Sequence, residues 1–282
     1  MPTVKTLPRV SILIFLTLHS WGCLQAQTVL PFSTDFESPE GFSIGSIQGQ
    51  NGWEVIQGSA SIGTASAFSG TQSLSLDATS PPSIVVQSFA QLAGQNIIFV
   101  DFYSRPSAST DSSLTTLFDL GASQANFVKV GSTGEVYAFN GDGTGGGNWQ
   151  ATGFTAALNT NGQSQDWIRF TFRQDYSAKK WDLFLNGEMA MHDLGFRDNA
   201  TTYFSLFTMQ GTSASAGYLD YMYIGSVNPL FEDADQDGLP DSWEQQYLGT
   251  LNYGPNDDPG GVGRTLLQSY QQGLSPWPTA TV

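Results

Sequence analysis

The chain has 282 residues, room for one large domain or two smaller ones, and carries 25 acidic against 10 basic side chains for a formal net charge of −15. That balance argues against a nucleic-acid partner, whose affinity comes from Lys and Arg neutralising phosphates, and against an anionic membrane surface. Charged residues are only 12%, aromatics reach 13% and there are 31 glycines, a core-forming, turn-rich composition of β type rather than a disordered one.

Residues 1–26 read as a signal peptide. Lys5 and Arg9 form its positive end, the run from Val10 to Leu18 is apolar and uncharged, and Leu24-Gln25-Ala26 offers a small-residue cleavage site before Gln27. The run is too short to span a bilayer, which takes about 20 apolar residues, and nothing later is longer, so no transmembrane anchor is expected. The expectation is an exported protein: secreted, periplasmic or at the cell surface. A lipoprotein would instead be cleaved before Cys23, but Ser20-Trp21-Gly22 is a poor approach to a lipidated cysteine. Cleavage after Ala26 removes Cys23 and His19 and leaves His192 as the one histidine. Thiolate zinc sites, cysteine nucleophiles and histidine metal clusters then drop out. A Ser-His-Asp triad would have to use His192, and no G-x-S-x-G elbow is present. Without disulfides, stability must come from a large core and a bound cation.

From 27 to 228 short apolar runs alternate with turn residues. The clearest strands are expected at 73–76, 84–89, 96–104, 115–120, 127–130, 135–139, 167–173, 180–185, 203–209 and 218–224. In the run from Trp167 to Arg173, Ile168, Phe170 and Phe172 share one face, while Trp167, Arg169, Thr171 and Arg173 share the other. Asn186-Gly187 supplies the two positive φ angles of a type I′ hairpin turn between the runs 181–185 and 188–191. The expected fold is all-β, a two-sheet antiparallel jelly-roll sandwich over 27–228, followed by a small C-terminal helical calcium-loop module at 229–282.

Two stretches of the sandwich invite a ligand reading. The loop Gly141-Asp142-Gly143-Thr144-Gly145-Gly146-Gly147 lacks the lysine of a phosphate loop, but Asn148 and Trp149 at its end offer an amide and an indole to a sugar. Read blandly, it is a flexible turn with a core tryptophan. Arg169 and Arg173 are either polar exterior or the floor of a ligand groove. Trp53, Trp167 and Trp181 are either core or a carbohydrate-stacking face, and His192 beside Asp193 either a general base or a surface-loop residue. No E-x-D-x-E run supplies a glycosidase carboxylate pair, and Asp101 and Asp220 stand isolated within strands, as structural carboxylates or help for a second calcium.

Past Asn228 the composition shifts and acids cluster. The twelve residues from Asp233 to Glu244 match the pattern D-x-[DN]-x-[DN]-G-x₅-E. Calcium takes about six to eight oxygens, and this spacing lets Asp233, Asp235 and Asp237 converge while Gly238 turns the chain. Leu239 offers a backbone carbonyl, Asp241 a direct or water-mediated oxygen, and Glu244 two oxygens. Pro240 suits the first turn of a helix that Gly249 stops, and a second short helix is expected at 265–272, with Leu266, Leu267 and Tyr270 packing on Trp243 and Tyr247.

These residues carry two resemblances. The segment 233–249 resembles the thrombospondin type 3 and dockerin-like calcium repeats of secreted bacterial proteins, in which loops often come in pairs. The partner loop here, 258–269, keeps Asp258 and Gly263 but has Gly260, Val262, Leu266 and Ser269 at other ligand positions, so it is expected to keep the shape without the ion. This departure counts against cohesin binding. The runs around Trp167 and Trp181 resemble the paired strands of laminin-G-like, concanavalin-type jelly rolls. Together they look like uncharacterised exported bacterial proteins, a likeness that implies a fold and no activity.

Three functional readings follow. The first is an exported, calcium-binding and carbohydrate-binding protein without catalysis, with calcium as its cofactor and a glycan as the expected partner. The second is a polysaccharide hydrolase or lyase whose acids converge from separate strands. The third is a structural or adhesive surface protein with no small ligand; a protein partner is not specified by the sequence.

Overall fold

The computed structural model describes residues 27–109 and 125–278. The expected signal peptide, with Cys23, and the expected strand at 115–120 lie outside the described residues. The first half contains β1 (Phe32–Thr34), β2 (Gly45–Ser46), β3 (Trp53–Gln57), β4 (Ala60–Gly63), β5 (Ser73–Leu76), β6 (Ile84–Ser88) and β7 (Ile97–Arg105). The second contains β8 (Val128–Val130), β9 (Glu135–Gly141), β10 (Gly147–Thr155), β11 (Ile168–Asp175), β12 (Lys180–Leu185), β13 (Glu188–Gly195), β14 (Leu206–Gln210) and β15 (Gly217–Gly225). Two short helices follow, α1 (Asp241–Tyr247) and α2 (Leu266–Gln271).

The strands form an all-β antiparallel sandwich. One layer is a large sheet in the order β13-β12-β11-β7-β15-β5-β4-β2, with β1 also paired to β15. The facing layer is split into two three-stranded sheets, β10-β9-β8 and β14-β6-β3. Strand alternation builds the core between them. Val100 and Phe102 of β7, Phe170 and Phe172 of β11, and Trp181 and Leu183 of β12 point inward, where they meet Trp53, Val85 and Phe207 on one side and Val130 and Val136 on the other. Trp53 and Trp181 are fully buried, which settles them as core side chains. The hairpin turn between β12 and β13 has both central residues at positive φ, Asn186 at 53° and Gly187 at 86°, as a type I′ turn requires.

The opposite face of the large sheet carries Asp101, Tyr103 and Arg105 from β7, Arg169, Thr171 and Arg173 from β11, and Asp182 and Phe184 from β12. Half of it is not open to solvent. Thr171 and Asp182 are nearly completely buried, because the segment after β15 folds back across them. Phe231 meets Phe184 edge-on at 6.2 Å, and Met189 of β13 packs against a small second core of Leu239, Leu266 and Leu267. Burying three leucines contributes at most about 2 kcal/mol each, an amount a fifty-residue tail needs from its own core and from docking. The last strand ends at Gly225, and the helical tail beyond it packs on the sandwich.

Candidate metal centre

Asp233 folds the loop that follows it. Its Oδ1 accepts the Asp237 N–H (3.0 Å), and its Oδ2 accepts those of Gly238 (3.2 Å) and the Asn228 side-chain amide (3.0 Å). Gln236 and Gly238 take left-handed backbone, φ 61° and 96°, to make the turn. Asp237 Oδ1 accepts the Leu239 N–H (2.8 Å) and Asp241 Oδ1 that of Ala234 (2.8 Å). Buried Leu239 anchors the loop, and α1 then carries Glu244 back over it.

The result brings five carboxylates to one place. Ligand oxygens of Asp233, Asp235 and Asp241 lie within 4.8 Å of one another, and so do those of Asp235, Asp237 and Glu244. Glu244 is fully buried, yet neither of its carboxylate oxygens has a hydrogen-bond partner, and buried Asp237 Oδ2 has none either. Burial pushes Glu244 up to about 8, helped by the nearby charges of Asp237 and Asp235. Burial likewise pushes Asp237 up to about 7, with Asp235 and Asp233 adding to it, and raises Asp233. Orphaned buried oxygens facing other carboxylates are the most expensive arrangement a protein interior offers without a counter-charge. The donor set is all oxygen, which suits a hard divalent cation.

The loop 258–269 repeats this backbone twenty-five residues on. Asp258 accepts the N–H groups of Val262 (3.0 Å) and Gly263 (2.8 Å), at the same offsets as Asp233. Gly261 and Gly263 are left-handed, φ 61° and 75°, in step with Gln236 and Gly238. The next helix starts from Thr265 with a reciprocal capping box to Gln268. Ser269, the counterpart of Glu244, is fully buried with its hydroxyl unpartnered. Trp243 joins the two helices, packing on Tyr247 at 5.2 Å and on Tyr270 at 5.7 Å.

The four residues expected at a ligand site do not come together. Arg169 forms a two-pronged ion pair with Asp101, both contacts 2.9 Å, and its Nη2 also donates to the Pro229 carbonyl at 3.1 Å. Arg173 donates from Nε to the Gln236 carbonyl at 2.9 Å, also from Nη2, and pairs through Nη1 with Asp182 at 3.1 Å. Both arginines face the tail, so neither floors an open groove; Arg173 clamps the acidic loop to the sandwich. Asn148 and Trp149 belong to β10, in another sheet. The Trp149 ring sits 5.3 Å from Phe139 with the Lys129 ammonium 4.3 Å over it. The preceding glycine loop is held down rather than poised: Asp142 accepts from Thr144 and Gly146, Gly143 and Gly145 donate to the Phe196 and Arg197 carbonyls, and a Cβ at Gly141 would strike the Phe196 carbonyl.

The isolated acids and His192 are also engaged. Asp182 Oδ1 meets His192 Nδ1 at 2.8 Å and accepts the Asp193 N–H. His192 lies within β13 rather than in a loop after the hairpin. Burial opposes its charge, but the hydrogen bond and field of Asp182 outweigh that and raise it. Burial likewise opposes the charge of Asp182, and His192 and Arg173 outweigh it and hold Asp182 low. Asp220 Oδ2 accepts the N–H groups of Phe68 (2.7 Å) and Ser69 (3.0 Å).

No family model matches the chain, and no curated protein sequence does. Among solved structures it is similar to the binding domain of botulinum neurotoxin DC in complex with SialylT, at 11% identity and a TM-score of 0.43 over 69% of this chain and 46% of that one. It is similar too to the botulinum neurotoxin serotype D binding domain, at 12% and 0.41 over 77% and 51%. A third is the botulinum neurotoxin DC binding domain in complex with rat synaptotagmin II, at 11% and 0.43 over 83% and 54%. The chain spans about half the length of these structures, and a likeness this distant carries nothing about its ligands.

Two residues of the centre escaped the sequence reading. Asn228, which holds Asp233, and Gln236, whose carbonyl Arg173 grips, stand at a boundary and at a variable position of the loop pattern; no spacing rule marks either.

Proposed function

We propose that this is an exported, calcium-locked β-sandwich that binds carbohydrate and performs no catalysis. The observation that carries the calcium half is Glu244: fully buried, both oxygens without a partner, and set against Asp235 and Asp237. Asp233, Asp235, Asp237, Asp241 and Glu244, with the Leu239 carbonyl, are the residues that would hold the ion. Calcium bound there supplies the positive charge that these acids lack. Calcium is favoured over magnesium because the donors are many and carboxylate-rich, whereas magnesium keeps several waters in a tight octahedron. Extracellular calcium modules bind at about 10⁻⁴–10⁻³ M, which suits a chain whose first 26 residues read as an export signal.

The ion's role is to fix the tail. Arg169 and Arg173 bind carbonyls of residues 229 and 236, so ordering the loop also closes the covered half of the large sheet. Binding without catalysis is supported by the sandwich's buried acids. Asp101, Asp182 and Asp220 are each held by structural partners. The calcium half is tested by melting the full chain with calcium and with excess chelator. A higher melting temperature with calcium is expected, and identical melts would remove the reading. The carbohydrate half is tested on a glycan array, where silence across all sugars would favour a purely structural protein.

A further inference from the structure

The tail leaves the other half of the large sheet's outer face open, and that half is aromatic. Phe68 stacks on Tyr103 at 3.6 Å with the planes 13° apart. Around this pair stand Trp167, 6.1 Å from Phe68, Tyr221, 6.2 Å from Phe68 and 6.0 Å from Tyr103, and Tyr218, 6.4 Å from Trp167. Phe68 is 43% and Tyr221 52% exposed, high for side chains that already have ring neighbours. Among the described residues, the hydroxyls of Tyr103, Tyr218 and Tyr221 and the Trp167 N–H have no hydrogen-bond partner within the protein.

The backbone is bent to present these rings. β15 breaks register against β7 between Asp220 and Tyr223, and Tyr221 takes φ 47°, a left-handed angle rare for a bulky residue. Asp220, fully buried, holds the strain: Oδ1 accepts the Tyr221 N–H at 2.8 Å, while Oδ2 takes those of Phe68 and Ser69. One carboxylate thus fixes both exposed rings. Bulges and strained residues of this kind concentrate where side chains are aimed at a ligand.

The charge of the platform sets it apart from the rest of an acidic protein. Arg105 lies 5.9 Å over the Tyr218 ring. Its guanidinium donates to the Ser164 carbonyl, the Ser66 hydroxyl and the Gln163 side-chain oxygen, all neutral. Among the described residues it has no carboxylate partner, unlike Arg169 and Arg173 on the covered half. Three donor contacts leave part of a five-donor fork, and its full charge, for something else.

We propose that Phe68, Tyr103, Trp167, Tyr218 and Tyr221 form a sugar-stacking platform for an acidic polysaccharide, with Arg105 answering the carboxylate of a uronic acid. Flat pyranose faces stack on aromatic rings while ring hydroxyls meet the Tyr and Trp tips. A carboxylated sugar is the class whose charge Arg105 complements, and a neutral glucan lacks that charge. This inference rests on the carbohydrate half of the proposed function and names the site for it.

The test is calorimetric titration of the calcium-loaded full chain with oligogalacturonate hexamer and, separately, with cellohexaose. Tight binding of the oligogalacturonate and weak or no binding of cellohexaose is expected. Phe68→Ala and Tyr221→Ala should each weaken the acidic sugar at least tenfold, and Arg105→Gln should erase the preference for acid over neutral. Calcium titration of the same variants reports whether they fold, since none of the three residues touches the metal loop. Equal binding of both sugars, binding that survives both aromatic variants, or no binding of either sugar would each overturn the platform. Sugar binding that survives both aromatic variants sinks the platform and leaves the carbohydrate reading standing, whereas silence toward both sugars and across a glycan array sinks both.

Discussion

The loops 233–244 and 258–269 share one backbone and differ in chemistry. In each, the first aspartate accepts N–H groups four and five residues on, and the fourth and sixth residues are left-handed. In each, the N–H five residues beyond the twelfth position donates back to that position's carbonyl, Gly249 to Glu244 and Leu274 to Ser269. Yet the first loop places four more carboxylates around its centre, and the second places none. The shape therefore needs one aspartate and the left-handed turn; Asp237 and Asp241 each add one backbone N–H contact, while buried Glu244 caps nothing and is costly to folding. Their retention in the first loop is what a cation accounts for.

Trying to turn the second loop into the first breaks the comparison most forcefully. Ser269→Glu puts a charge into a fully buried site where Val262 and Gly260 offer no oxygen ligands. A side chain at Gly260 is itself barred by the Pro276 carbonyl. We expect a loss of about 3 kcal/mol in a denaturant melt and no second calcium, as for an uncompensated buried charge. The reverse change, Glu244→Gln, should abolish the calcium-dependent rise in stability, which reaches about 2.7 kcal/mol when calcium is a hundredfold above Kd. Without calcium the same variant should melt above the wild type, because it removes the most frustrated charge of the loop. A metal-free variant that melts lower would show Glu244 to be structural.

Asp258→Ala should cost about 1–2 kcal/mol, the worth of two lost backbone caps, and leave calcium stoichiometry unchanged. A fall in stoichiometry would show the second loop to hold an ion after all. The same carboxylates also set a pH dependence. Glu244 and Asp237 stand at about 8 and about 7 without metal, against ordinary values of 4.5 and 3.8. Acids raised by folding hold protons that the unfolded chain releases, so metal-free stability should fall as pH climbs from about 4 to about 8. With calcium the ligands are ionised in the folded state and the trend reverses, so the gap between loaded and free melting temperatures should widen with pH. Scanning fluorimetry across that range reads it directly.

What the sequence made legible was local. The acidic loop declares itself because its pattern lies within twelve residues. The strands β7, β11 and β12 declare themselves because their apolar residues alternate. The strand β10 went unread, since Gly147–Thr155 is glycine-led and largely exposed, with no apolar face to count. The short β3 and β4 were also missed. Alternation placed Arg169 and Arg173 correctly on the face away from the core, but it says nothing about what covers that face. The cover comes from 60 and 63 residues further on. The aromatic platform was less legible still, because its members are scattered from position 68 to 221 and meet only through the sheet order.

The most direct measurement is an isothermal titration of calcium into the chelator-stripped full chain, run in two buffers of different ionisation enthalpy. One ion per chain is expected, with heats that differ between buffers because Glu244 and Asp237 give up protons on binding. No calcium heat, together with a melting curve unmoved by chelator, would contradict the metal centre and everything built upon it.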